Sequence, residues 1–230
     1  YRTISCLQIA LLLILLLSLP LWKKQELPLS GSETVRPQTP QWGKLLKRPG
    51  VKAALTAFFF YSALELTTGL WGSSYMVAIR GISPETAAKW ISLFYLGITA
   101  GRFFSGFLTL RFSDDAMVRL GEGTAIVGII LLLLPLHNLF LCVGLILTGL
   151  GCAPIYPSLL HATPQRFGKS LSQSLMGTQM AISYLGSTTM PPVSGFLSEK
   201  ISMGLYPVLL LVFALCMTIL TEKGRHCTGE

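Results

Sequence analysis

Seven apolar runs dominate the chain, at about 3–22, 53–78, 86–110, 118–136, 138–162, 170–197 and 202–221. A run of about 20 apolar residues crosses the ~30 Å hydrocarbon layer of a bilayer as a helix. Lipid offers backbone groups no hydrogen bonds, so only helices and closed barrels span it. Runs this long are far beyond a barrel strand, and the expectation is an all-α membrane protein. Mean hydropathy is +0.61, and 12% of residues are charged where soluble domains carry ~25%.

Lys and Arg together number 18 against 10 Asp and Glu. Such an excess can signal nucleic acid, but here the basic residues stand between apolar runs, as topology signals do. If residues 23–52 are placed in the cytoplasm and the runs alternate, the cytoplasmic side holds thirteen basic residues: Lys23, Lys24, Arg36, Lys44, Lys47, Arg48, Lys52, Arg111, Arg119, Arg166, Lys169, Lys223 and Arg225. The other side holds four, Arg2, Arg80, Lys89 and Lys200, and Arg102 lies within a run. The seven-helix count therefore obeys the positive-inside rule. The first run has no small-x-small cleavage site after it and continues through Leu19 to Trp22, so it reads as a membrane helix rather than a signal peptide. The Pro-rich stretch 23–52 reads as a cytoplasmic linker, with a short basic amphipathic piece over 42–52. Five cysteines form no CxxC, and neither a disulfide framework nor a metal or cofactor site is expected.

Polar residues inside the runs are the candidates for function. A carboxylate near mid-bilayer costs ~2.5–3.5 kcal/mol on the insertion scale, so it faces protein or a watery cavity. Glu65 is such a residue. At helical spacing Tyr61, Glu65, Thr68, Gly72 and Tyr75 share a face. Either Glu65 ties two helices together, or it belongs to a substrate or proton site. In the third run Tyr95, Thr99, Arg102 and Gly106 share a face. Arg102 is expected to act structurally toward the cytoplasmic side, by snorkelling or by pairing with a carboxylate such as Glu65. Asp114 and Asp115 read as caps of the fourth helix or partners of Arg119. Gln179, Ser183, Tyr184 and Thr188 of the small, polar sixth run could face a cavity, or serve close packing.

The first, fourth and seventh runs are apolar nearly all round, which suits lipid. Polar residues and most glycines fall in the others. That recurrence implies three-helix units, 53–136 and 138–221, preceded by one further helix. The leading helices also match: Gly69 and Gly72 interrupt one, and Gly149 to Pro157, with Pro154 and Pro157, interrupt the other. Paired interruptions point to a transporter binding site, although a packing kink would leave the same trace.

The chain resembles the C-terminal half of a major facilitator superfamily transporter. Gly101-Arg-Phe103, Gly106, Leu108 and Arg111 resemble the signature at the turn after the second helix of that half, with Leu110 at its acidic position. Tyr61 with Trp71 and Tyr75, Arg111-Phe112, Tyr156-Pro-Ser158 and Pro192 to Glu199 are similar to the fucose-permease type of sugar transporter. The resemblance implies a six-helix bundle of two three-helix inverted repeats. It implies that residues 1–22 end the N-terminal half, 23–52 link, 53–222 form the C-terminal domain and 223–230 are a cytoplasmic tail. A chain starting at Tyr1 then reads as a fragment whose missing N-terminal half is a partner, beside the lipid bilayer and a small-molecule substrate. Some relatives carry an amide where Glu65 stands, and the coupling acids of such symporters belong to the N-terminal half. No proton role for Glu65 follows from the likeness.

The function expected is secondary transport of a small polar solute, a sugar, by alternating access, in the cell membrane. Candidate substrate-binding residues are Tyr61, Glu65, Thr68, Trp71, Tyr75, Tyr95, Tyr156, Gln179 and Tyr184. Candidate gating or structural residues are Arg102, Gly106, Arg111, Pro154 and Pro157. Efflux of a drug or amphipathic cation is the rival within the fold. A scaffold or sensor is the rival outside it. An intramembrane serine protease is disfavoured, because no G-x-S-G occurs, His137 sits in a loop and His161 ends a run.

Overall fold

The computed structural model describes residues 2–23 and 46–228. Most of the linker, residues 24–45, lies outside the described residues; of the amphipathic piece expected over 42–52, residues 46–50 are turns and bends and 51–52 begin the next helix. Seven α-helices and no strand occur among those described: α1 (Arg2–Lys23), α2 (Val51–Arg80), α3 (Pro84–Leu108), α4 (Asp114–Leu133), α5 (Asn138–Phe167), α6 (Lys169–Lys200) and α7 (Tyr206–Thr228). Helix α1 belongs to a separate unit from the bundle α2–α7. It is an uninterrupted helix that contains Pro20. Helix α7 runs on through Lys223 to Thr228, so most of the expected tail is helical.

Short connections set the bundle's up-and-down course. Gly81, at φ 64°, ends α2, and Ser83 accepts from the Thr86 amide to start α3 with Pro84 in its first turn. Pro suits that position because it lacks only an amide that would have no helical partner. Ser113, rather than either aspartate, caps α4 through the Ala116 amide. Gly168 alone, at φ 87°, joins α5 to α6.

The first helix of each three-helix unit packs chiefly against the other unit. Helix α2 lies on α6 and α7, and α5 lies on α3 and α4. The lesser contacts are α2 with α3, α5 with α6, α4 with α7 and α2 with α5. Exchanging α2, α3, α4 for α5, α6, α7 maps each of these pairs onto another or onto itself. Since α2 and α5 run in opposite directions, the repeats are inverted. Missing side chains allow this interlocking: a β-carbon at Gly149 would collide with the Phe94 carbonyl of α3, and one at Gly186 with the Phe59 carbonyl of α2. Large residues, among them Phe58, Leu64, Phe94, Ile129, Leu145 and Tyr206, fill the remaining core.

Three expectations need correction. Neither leading helix is interrupted, since α2 and α5 are each continuous over 30 residues. Their glycines serve close packing instead. The carbonyl of Leu150, which Pro154 deprives of its donor, lies 2.9 Å from where a β-carbon on Gly101 would sit, so the missing side chain makes room for it. Second, α4 is not lipid-facing all round. Met117, Val118, Gly121, Ala125, Ile129 and Leu132 are buried, while Leu120, Val127, Ile130 and Leu133 are exposed. Lipid tails are as apolar as leucine, so composition does not separate a lipid face from a packed one. Third, α6 is not among the described helices that are long and apolar enough to span by themselves, which are α2, α3, α4, α5 and α7. Helix α1 is 22 residues long and apolar over Ser5–Pro20. Helix α6 is polar, but Thr178, Ser187, Thr188 and Thr189 each donate to a carbonyl one turn back, and Ser183 meets Ser62 of α2. Such internal bonds remove much of the cost of placing hydroxyls in an apolar medium.

Candidate functional site

Glu65 stands at the midpoint of α2, about 21 Å from its first residue at 1.5 Å per residue. Its side chain is 20% exposed, and Arg102 of α3 approaches to 3.7 Å. The Tyr61 phenol, one turn back on α2, lies against the Glu65 carboxylate. Tyr61 is buried, and its ring lies 5.7 Å from that of Tyr156 on α5, which meets Phe58 edge-on at 5.2 Å. Cys152, one turn before Tyr156, is buried nearby. Tyr156 is half-buried, close to both Glu65 and the exposed Tyr184 of α6. Helix α3 adds exposed Tyr95 and Thr99. These side chains form an open wall: a carboxylate and a guanidinium in the middle, aromatic rings around them, hydroxyls at the margin. Such a surface can bond hydroxyls from both directions and lay rings on C–H faces.

Other candidates are turned elsewhere. Thr68 is buried and donates to Leu64 one turn back, while its own carbonyl accepts from Tyr206. Tyr75 donates to the Leu132 carbonyl at 3.0 Å, and its ring stacks near Tyr206. Trp71 donates to the Pro191 carbonyl at 2.8 Å and packs where Gly195 has no side chain. Gln179 is buried and accepts from Thr163. The structure thus gathers Tyr61, Glu65, Arg102, Tyr156 and Tyr184, with Tyr95 beside them. It sets Thr68, Trp71, Tyr75 and Gln179 in helix contacts. Gly106 faces open space, and Arg111 is exposed at the α3–α4 turn. Pro154 and Pro157 lie in the continuous α5.

A second polar group was not anticipated. At the end of the bundle holding the first turn of α2 and most basic residues (the basic end), Asp114 pairs with His161 at 2.7 Å and Asp115 with Arg166, so the aspartates reach α5 and not Arg119. Arg119 instead grips both oxygens of Glu222 on α7, at 2.9 and 3.1 Å, and Arg225 also meets Glu222. Glu122 is buried among them. The signal was present in the sequence: a carboxylate flanked by Gly121 and Gly123 inside a run otherwise read as apolar. At the opposite end Arg80 reaches the Leu132, Leu134 and Leu136 carbonyls, capping α4.

An inverted pair of three-helix units, apolar outside and bearing an open polar wall, defines a multi-pass membrane protein of the transporter type. The Major Facilitator Superfamily profile matches residues 54–223, and the chain belongs to that superfamily, whose members are not enzymes. Bypass of stop codon protein 6 of Saccharomyces cerevisiae is 24% identical over 197 residues, which is 79% of this chain and 38% of that protein. The fold is similar to that of the E. coli fucose:proton symporter FucP, with a TM-score of 0.63 and 20% identity over 80% of this chain and 44% of that one. FucP in the outward conformation gives 0.69 and 19% over 85% and 46%. The POT family transporter PepTSo gives 0.62 and 18% over 76% and 37%. The chain therefore spans less than half the length of these relatives.

Proposed function

We propose that this chain supplies one half of a secondary transporter that moves a small polar solute, of the sugar class, by alternating access. The carrying observation is the mid-helix pair of Glu65 and Arg102 in an open wall of tyrosines. The pair sums to zero charge, which suits a neutral, hydroxyl-rich solute better than a cation; a drug cation would have to displace Arg102. The likeness to fucose:proton symporters supports the same reading. In this proposal Tyr61, Glu65, Tyr95, Tyr156 and Tyr184 face or support the solute, and a second six-helix half completes the cavity. The basic end lies in the cytoplasm, together with the 23–52 linker, and the membrane is the cell membrane. The test is uptake by the full-length protein in proteoliposomes. Saturable transport of a sugar, abolished by competing sugar, is expected. Broad efflux of cations would favour the drug-transporter reading, and correct insertion without flux would favour a scaffold or sensor.

A further inference from the structure

We propose that Glu122 is a proton-binding site at the basic end of the bundle, distinct from Glu65, with Thr221 between it and a small cavity. This rests on the chain's membership of a membrane-protein family and not on the solute reading.

Glu122 is 2% exposed and sits on the face of α4 that packs against α5 and α7. Its Oε1 accepts from the Thr221 hydroxyl of α7 at 2.7 Å. Its Oε2 is buried and has no hydrogen-bond partner among the described residues. An ionised carboxylate has room for about four donors, and a buried charge with one is poorly satisfied. Hydrogen bonding at this position therefore suits a neutral acid.

Charge balance pulls the other way. Arg119 on its own helix and Arg225 on α7 lie close enough to act on Glu122; Asp115, Arg166 of α5 and Glu222 of α7 surround those two guanidiniums, and His161 of α5 pairs with Asp114 at the same end. Arg119, Arg166 and Arg225 oppose Asp115, Glu222 and Glu122, so these three guanidiniums are matched one for one by carboxylates when Glu122 is ionised. Arg119 and Arg225 both meet Glu222, Arg166 meets Asp115, and the charges of Arg119 and Arg225 also reach Glu122. Two opposed effects of this kind hold neither form fast, which is the condition for a site that exchanges its proton.

A cavity with room for about one water is lined by Thr163, Arg166, Gln179, Thr221, Phe58 and Ala57, among others. Hydroxyl, amide and guanidinium groups line it, and Thr221 stands between it and the carboxylate. Uptake adds one proton to a Glu122 oxygen and cancels its charge; no other bond changes. Loss of that charge leaves the arginine set one positive charge in excess at the α4–α7 contact, where the two repeats meet.

The experiment is pH-difference infrared spectroscopy on the full-length protein in membranes. We expect a carboxylic-acid C=O band that titrates in the wild type, disappears in Glu122→Gln and persists in Glu65→Gln. Gln at 122 can still accept from Thr221, so the packing is retained. Thr221→Val removes that donor and should move the band to higher wavenumber. The inference is overturned if the wild type has no titrating band, if the band survives in Glu122→Gln, or if it vanishes in Glu65→Gln instead. Should Glu122→Gln fail to assemble, an unshifted band in Thr221→Val overturns it as well.

Discussion

Replacing Glu65 by Gln separates binding from stability at the candidate wall. The structure gives the two effects different sizes. Arg102 stands 3.7 Å from Glu65, and its side chain is 62% exposed. That is longer than a hydrogen bond, and a solvent-open pair of this kind contributes ~0–1 kcal/mol. Melting of the detergent-solubilised full-length protein should therefore change little. A solute hydroxyl bonded to the carboxylate would lose a charge-assisted hydrogen bond of ~1.5–3 kcal/mol, equivalent to about 10- to 150-fold in affinity. The assay is substrate affinity beside uphill accumulation and exchange across equal gradients. If Glu65 only binds solute, both transport modes weaken together. If it carries the coupled proton, accumulation fails while exchange survives. If it is helix glue, affinity holds and melting falls. Arg102→Gln made in parallel should weaken binding without additivity, because the two groups share one solute. Wild-type affinity, accumulation and exchange in correctly inserted Glu65→Gln would refute the functional role.

Three further outcomes follow. On a cysteine-free background, an impermeant thiol reagent added to intact cells should label Lys200→Cys and not Lys223→Cys; both positions are exposed, and the reverse pattern would invert the topology. Gly149→Leu should fail to assemble or lose at least ~1–3 kcal/mol of stability, because its side chain would enter the Phe94 backbone of α3; an unchanged melting profile would remove the interlocking argument. Replacing Pro154 and Pro157 together by Ala restores two helix donors and removes the local bendability of α5, so insertion should persist while turnover in the full-length transporter slows; equal turnover would leave the prolines a packing role only.

The elements were legible because each run is long, apolar and bounded by charge, Gly or Pro. Most helix ends were read within about four residues for this reason, while α5 and α7 run on to Phe167 and Thr228, past the expected 162 and 221. What the runs conceal is direction around the helix axis. On α4 both faces are apolar, and only the fold shows that Ile129 is core and Ile130 is exposed. Glycine misled for a related reason: Gly69 and Gly72 read as breaks, yet in a membrane a glycine is as readily a place where another helix comes close. The same ambiguity attaches to aromatic residues with a polar tip. Tyr61 and Tyr75 share one face of α2, but one lies against Glu65 and the other bonds the end of α4. Their spacing is consistent with both uses, since it fixes the angle around α2 and says nothing of which helix stands opposite.

The two glutamates of α2 and α4 show what a sequence criterion can and cannot weigh. Glu65 drew attention because it lies at the centre of a run, where the transfer cost is greatest. Glu122 lies nearer its run's start, where that cost is smaller, and it was passed over. Burial reverses the order: Glu65 opens partly to the wall, and Glu122 is sealed between α4 and α7. Depth in the bilayer and depth in the protein are separate coordinates, and a hydropathy profile measures only the first. A carboxylate near the end of a run, flanked by small residues on both sides, marks a place where helices can close over a charge. In this chain Gly121 fits under Gly151 and Pro154 of α5 for that reason. The close α4–α5 approach that seals Glu122 is therefore written in its neighbour, one residue before it, rather than in the glutamate itself.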